Sequence, residues 1–236
     1  MKVLKEGRSL NETIYSQVRG LILTGQLLPG NKLKISALAQ RFDVSMNVIR
    51  EALNRLAGEL LVDVAPQQGF SVRGLNPDEL ADLTEQRITF ESIALRKSIE
   101  TRDIEWQARL IAANHRLVHT PQTLPETPAT FNPEWHTRHE DFNFIMMENC
   151  GSKWLFLMVK QLAEAFSIYQ RVLLPVTVEQ GERNSDHNEL LQAILAEDAD
   201  SAVAILSEHL NHTRDVLLNA LGAVASAGHA FESGIR

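Results

Sequence analysis

Apolar residues return at helical spacing from the start of the chain. Leu10, Ile14, Val18 and Ile22 form one stripe at i, i+4 intervals. Ser9 and Glu12 have the spacing of a capping box, so a helix is predicted from about Leu10. Gly25 and Pro29-Gly30 should end it and turn the chain. A second, short helix carries Leu38, Ala39 and Phe42, Asp43 and Val44 make a turn, and Ser45 is a good N-cap for a third helix. In that third helix Val44, Ile49, Ala52, Leu53 and Leu56 are spaced to pack inward, which leaves Met46, Asn47, Arg50 and Asn54 outward. Two short runs follow, Leu61–Val64 and Phe70–Arg73, joined through Pro66-Gln-Gln-Gly69, and they read as a β-hairpin.

From Asn76 the period changes. Asn76 can cap, Pro77 suits the first helical position and Glu79 completes the box. Helices are predicted at about 77–99, 103–119, 133–149, 153–174, 184–197 and 200–221, with no strand after residue 74. Pro121, Pro125, Pro128 and Pro133 make the stretch between Thr120 and Pro133 an irregular connection. The tail after Ala223 is expected to fray. The fold class is therefore mainly α. Residues 1–74 are a helix-turn-helix with a hairpin wing, and residues 77–222 are an all-helical domain.

Charge sharpens that division. The net charge is −7, which taken alone argues against a nucleic-acid partner. Residues 1–74 hold 10 Lys and Arg against 6 Asp and Glu, a net of +4, while the rest holds 13 against 24, a net of −11. A basic module on an acidic body suits a chain in which only one end approaches phosphates. All 8 histidines lie beyond residue 114, which suggests a separate chemistry in the second half. The single cysteine, Cys150, cannot form an intramolecular disulfide. That, with no apolar leader and no long apolar run, leads us to expect a cytoplasmic protein without a membrane partner.

The outward stripe of the third helix has the chemistry of base reading. Arg50 can donate a bidentate pair to guanine and Asn47 can pair with adenine. Ser45 can touch a phosphate at the helix N-terminus. Gly69 lets the wing tip come close to a backbone, and Gln68 can reach the minor groove or a phosphate. The same residues could instead be a cap and a solvated face; it is their joint pattern that points to double-stranded DNA.

Leu23-Thr-Gly-Gln-Leu-Leu-Pro-Gly30, Leu33, Leu38-Ala39, Val44-Ser45, Arg50-Glu-Ala-Leu53, Leu61-Val62, Pro66 and Gly69 resemble the GntR family of bacterial transcription regulators. The second half resembles the all-helical FCD effector domain of the FadR-type subfamily, through Arg87 with Glu91, Phe142, Gly151, Ala193-Ile194 and Asp198. Met46 stands where the family has a basic residue, Val48 where it has Pro, and Gly58-Glu59-Leu60 replaces its Glu-then-Gly order. The first change removes a DNA contact, and the last should alter the turn into the wing.

The resemblance also implies a divalent metal held by one Asp and three His. Aligned on Phe142, those positions are His139, Asn143, His187 and His209, so two of the four have changed type. Three imidazoles still suit Zn or Ni, and Asn143 can ligate through its amide oxygen or bond an effector. The alternative is that the metal is lost and these groups hydrogen-bond an organic ligand directly. His212 and His136 lie three residues from His209 and His139 and could swap in, with His212 also an effector contact; His115, His119 and His229 read as surface. The resemblance places Arg87 near the cavity, where it can pair with an effector carboxylate; an ion pair with Glu91 is the equal alternative. It implies a ligand-responsive regulator, most often a repressor, that binds a near-palindromic operator as a homodimer and takes a small carboxylate effector. A metal sensor and a metalloenzyme using His139, His187 and His209 are the rivals.

Overall fold

The computed structural model describes residues 9–23, 26–124, 127–173 and 183–233. Gly25 lies outside them, as do the side chains beyond Ala223, His229 included. The chain divides into two units, residues 1–76 with 167–172, and residues 77–166 with 173–236.

In the first unit the elements run α1 (Leu10–Leu23), β1 (Lys32–Leu33), α2 (Ile35–Phe42), α3 (Met46–Gly58), β2 (Val62–Ala65) and β3 (Gly69–Val72). The Ser9 hydroxyl accepts from the Glu12 amide at 3.2 Å and starts α1. Ile14, Val18 and Ile22 are buried as their spacing requires, but Leu10 is exposed on the first turn. They pack on Ile49, Leu53 and Leu56 of α3, and Ile168 joins the same core. The hairpin is antiparallel, with Val62 opposite Val72 and Ala65 opposite Gly69. β1 adds a third strand through Leu33 and Phe70, giving the order β1-β3-β2. Two residues are too few for an alternating pattern, so this strand could not be read from sequence.

Both ends of the helix-turn-helix close in the same way. Asp43 is left-handed (φ 53°) after α2, with Val44 donating to Ala39 O at 3.1 Å and Asp43 to Gln40 O at 3.4 Å. Leu60 is left-handed (φ 59°) after α3, with Leu61 donating to Leu56 O at 3.0 Å and Leu60 to Ala57 O at 3.1 Å. These are Schellman closures, which favour glycine because a Cβ crowds the following carbonyl. The turn into the wing thus keeps left-handed geometry without a glycine.

Beneath α3 lies a polar clasp that the sequence did not announce. Arg55 Nη1 pairs with Glu12 at 2.5 Å, and its guanidinium sits 3.5 Å above the Tyr15 ring. Tyr15 Oη donates to Glu59 at 2.7 Å, and Arg19 Nε lies 3.6 Å from Glu59. Burial, then the hydrogen bond to the Glu59 carboxylate, push the Tyr15 phenol up to about 12.

The second unit runs α4 (Pro77–Glu100), α5 (Ile104–Val118), β4 (Thr123–Leu124), β5 (Thr127–Phe131), α6 (Pro133–Glu148), α7 (Lys153–Leu173), α8 (Arg183–Leu195) and α9 (Ala199–Ser233). Residues 167–172 of α7 belong to the first unit. Asp103 caps α5 by accepting from the Trp106 amide at 2.8 Å, and Asn132 caps α6 by accepting from Glu134 at 3.0 Å. The core gathers Leu95, Trp106, Leu110, Trp135, Phe142, Met146, Ile194 and Leu206. Trp106 stays buried because its indole N–H reaches Ile145 O at 2.7 Å.

Two expectations for this half are corrected. The proline-rich connection holds a two-stranded antiparallel ribbon, β4 with β5. Among the described residues Thr123 pairs with Phe131 and Leu124 with Thr127, with a register shift between them. The tail after Ala223 does not fray: α9 runs on to Ser233. That stretch holds no proline and is rich in alanine, the strongest helix former.

Two predictions follow from the first unit. Leu60→Gly relieves the left-handed strain and loses only a half-exposed side chain, so stability should rise by about 0.5–1 kcal/mol in denaturant unfolding. An unchanged or lower midpoint would count against strain at this turn. Tyr15 holds its proton more tightly folded than unfolded. Its contribution is therefore complete below the ordinary phenol value near 10 and is lost as pH rises towards 12. Thermal melts at pH 8 and pH 11 should show a smaller alkaline loss in Tyr15→Phe than in the parent chain; equal losses would exclude this phenol as the cause.

Candidate nucleic-acid interface and histidine centre

The third helix presents the outward face that its spacing predicts. Ser45 is extended (φ −69°, ψ 153°) and its side chain accepts from the Val48 amide at 3.5 Å, so it caps α3. Ile49, Ala52, Leu53 and Leu56 are buried and Val44 is half-buried, while Met46, Asn47, Arg50 and Asn54 are exposed. Met46 exposes 57% of its surface, a large share for an apolar side chain beside a helix start. At the wing, Gln68 and Gly69 are exposed, and Gln68 N–H donates to Ala65 O at 3.1 Å across the turn. Pro66 and Gln67 are the central residues of that turn, and Gln67 takes a positive φ of 63°. Gly69 has φ 84° and nothing within 4 Å of an added Cβ. Glycine is required there by backbone conformation rather than by crowding within the protein. Ser45, Met46, Asn47 and Arg50 thus share one exposed helix end.

In the second unit three histidines from three helices meet. His139 lies on α6, His187 on α8 and His209 on α9, and one ring nitrogen of each lies within 4.8 Å of the others. His139 and His187 are buried and His209 is nearly so. The His187 ring stands edge-on to His139 at 5.0 Å and to His209 at 4.9 Å, measured between centroids. A tetrahedral ion with imidazole bonds of about 2.0–2.1 Å sets its nitrogens roughly 3.4 Å apart, so small side-chain movements close the set around one ion. The donor set fits a divalent transition metal.

Two neighbours of this cluster escaped the sequence reading. Asp186 Oδ2 lies 3.2 Å from His209 Nδ1. A carboxylate there accepts the Nδ1 proton and fixes the tautomer of the ring, leaving the other ring nitrogen an electron-pair donor. Trp135 stacks on His139 at 4.9 Å with a 12° tilt. The signals were present: Asp186 precedes His187, and Trp135 precedes His139 by one helical turn.

The remaining candidates divide. Asn143 is brought to the cluster, its amide nitrogen 3.4 Å from His139 Nε2; turning the amide over would present oxygen instead. His212 is exposed on α9 and does not join the three clustered imidazoles. His136 is buried, with Nε2 3.2 Å from Glu140 one turn on, and is not one of the three clustered imidazoles. Arg87 is buried and its Nε donates to Glu91 at 2.6 Å, with the guanidinium 4.6 Å from the Phe166 ring centre. The ion-pair alternative is therefore realised. Glu91 Oε2, also buried, has no hydrogen-bond partner among the described residues. No helix among the described residues is long and apolar enough to cross a membrane.

Comparison with known proteins accords with this geometry. Residues 10–72 match the family described as bacterial regulatory proteins, gntR family, and residues 82–212 match the FCD domain. The chain is 30% identical over 210 residues to the HTH-type transcriptional regulator BphR of Paraburkholderia xenovorans, covering 89% of this chain and 86% of that protein. It is 29% identical over 200 residues to the HTH-type transcriptional repressor GlaR of Escherichia coli, covering 83% and 90%. Among solved structures, McbR/YncC of E. coli shares the fold with a TM-score of 0.72 at 22% identity, over 90% of this chain and 99% of that one. The metalloenzyme alternative is set aside, because family and relatives are regulators rather than enzymes. A winged helix-turn-helix followed by an FCD domain makes this chain a member of the GntR family of bacterial transcription regulators.

Proposed function

We propose that this regulator is a repressor that binds a near-palindromic operator as a homodimer and is controlled by a small organic acid. Regulators of this family bind DNA, and their FCD domains bind small-molecule effectors. The exposed Asn47–Arg50 face on a capped helix carries the DNA reading. One such helix reads one half-site, and a two-fold operator matches a two-fold dimer. In this reading the input is the cluster of His139, His187 and His209, holding a divalent ion such as Zn or Ni. All three ligands are neutral, so a bound ion keeps its charge and attracts a carboxylate. Asn143 stands where it can ligate or bond the effector, and Asp186 fixes the donor nitrogen of His209. Effector binding then shifts the chain between arrangements that fit and do not fit the operator. The convergence of three imidazoles also favours a second reading, in which the ion itself is the signal.

Gel-shift titrations separate these readings when run with metal alone, with a panel of carboxylates, and with both. Metal alone releasing the operator supports the sensor; release that needs a carboxylate supports the acid-responsive repressor. Arg50→Ala should cost about 1–3 kcal/mol of specific binding, and unchanged operator affinity would exclude Arg50 from the readout. Untagged protein titrated with Ni(II) or Zn(II) should show a change in tryptophan emission as Trp135 reports on His139. Asp186→Ala should weaken that binding by roughly 10- to 100-fold. A parent chain whose emission and metal content never change would reject the centre. Equal affinities in parent and variant would reject only the role of Asp186.

A further inference from the structure

A second pair of imidazoles stands outside this centre. His115 and His119 lie one turn apart at the C-terminal end of α5, and both are exposed. Their ring centroids are 4.1 Å apart with a 38° tilt. His119 Nδ1 lies 2.7 Å from the His115 carbonyl oxygen. A carbonyl can only accept, so the proton of that bond sits on Nδ1. His119 Nε2 is left as an electron-pair donor, held in place by its own helix.

We propose that His115 and His119 form a surface site for a transition-metal ion, with Cu(II) or Ni(II) as the fitting class. Helix residues four apart face the same side, so two imidazoles can occupy neighbouring positions on one ion. Ions that prefer tetragonal nitrogen coordination take such a pair and complete their shell with water, and among divalent ions of the first row Cu(II) binds nitrogen most tightly. The position adds to this. The last turn of a helix carries partial negative charge on its free carbonyls, which favours a cation there. Arg116 is the adjacent cation, and a one-residue step turns it to a different side of the helix. This pair shares no residue with the His139, His187 and His209 cluster, so it stands whether or not that cluster holds metal.

The test uses the untagged full chain, Cu(II) as probe, and the double variant His115→Ala/His119→Ala. Both side chains are exposed, so the fold is expected to survive. Equilibrium dialysis should show one equivalent of Cu(II) fewer in the double variant. Its electron paramagnetic resonance spectrum should lose a component with nitrogen ligands. Each single variant should weaken that equivalent on the order of a hundredfold, because a two-point attachment becomes a one-point attachment. If the parent binds one equivalent and the double variant none, the surface site stands and the buried cluster fails as a copper site. If parent and double variant bind the same number of equivalents with the same spectrum, the surface site is overturned.

Discussion

The packing of α3 on α1 governs what the first unit can present. Ile49, Leu53 and Leu56 are fully buried against Ile14, Val18 and Ile22. Each such side chain contributes roughly 1.5–3 kcal/mol by leaving water, so rotation of α3 about its axis is costly. That constraint, rather than anything in the polar residues themselves, turns Asn47 and Arg50 outward. The Glu12, Tyr15, Arg55 and Glu59 clasp sets the register of the same two helices. Exposed ion pairs contribute little to stability, but Tyr15 is partly buried and its ring carries the Arg55 guanidinium. The clasp is therefore better understood as directional than as strongly stabilising.

The second unit solves a different problem, which is to hold imidazoles in a largely apolar interior. Trp135 and Phe142 line the cluster with aromatic faces, and His139 and His187 are nearly as buried as the core around them. Buried polar rings are tolerated when their nitrogens have partners. Asp186 supplies one for His209, and Asn143 approaches His139. His139 thus stands where the family resemblance leads one to expect a carboxylate ligand and Asn143 where it leads one to expect a histidine, while the Asp186 carboxylate stands beside His209. With no carboxylate at the ligand positions, three imidazoles face one another.

Much of this was legible in the sequence because long periodic segments declare themselves. Each predicted helix of the second half recurs within a residue or two at its start, and the hairpin is shifted by one residue. The outward and inward faces of α3 followed from spacing alone. What escaped had weak local signal. β1 is two residues long and exists only because Phe70 offers it a partner. The β4–β5 ribbon arises in a proline-rich segment whose composition forbids helix without specifying strand. The extension of α9 lies in a stretch where alanine, a strong helix former, is interspersed with small and polar residues that read locally as a helix end. At the cluster, spacing picked out the three histidines through the family pattern, but it could not separate His212 and His136 from them. His136 and His212 each lie about one helical turn from a cluster member, and it is the packing of the folded chain that buries the first and leaves the second exposed.

Met46 and Val48 bear on the DNA reading in opposite ways. Val48 is half-buried and its amide donates to the Ser45 cap. A proline there would lack that N–H, so this chain gains a cap bond that the usual family residue cannot make. Met46 is the reverse case, since in the proposed reading it takes a cation away from the helix end that would approach phosphates. Loss of a phosphate contact lowers affinity at every sequence alike, whereas base contacts discriminate. With an exposed thioether in place of a charge, this helix end offers an apolar surface suited to a thymine methyl, beside the polar groups of Asn47 and Arg50. In the proposed reading, the balance at this face moves from charge toward shape and base chemistry, and the net charge of +4 over residues 1–74 supplies general attraction from elsewhere on the module.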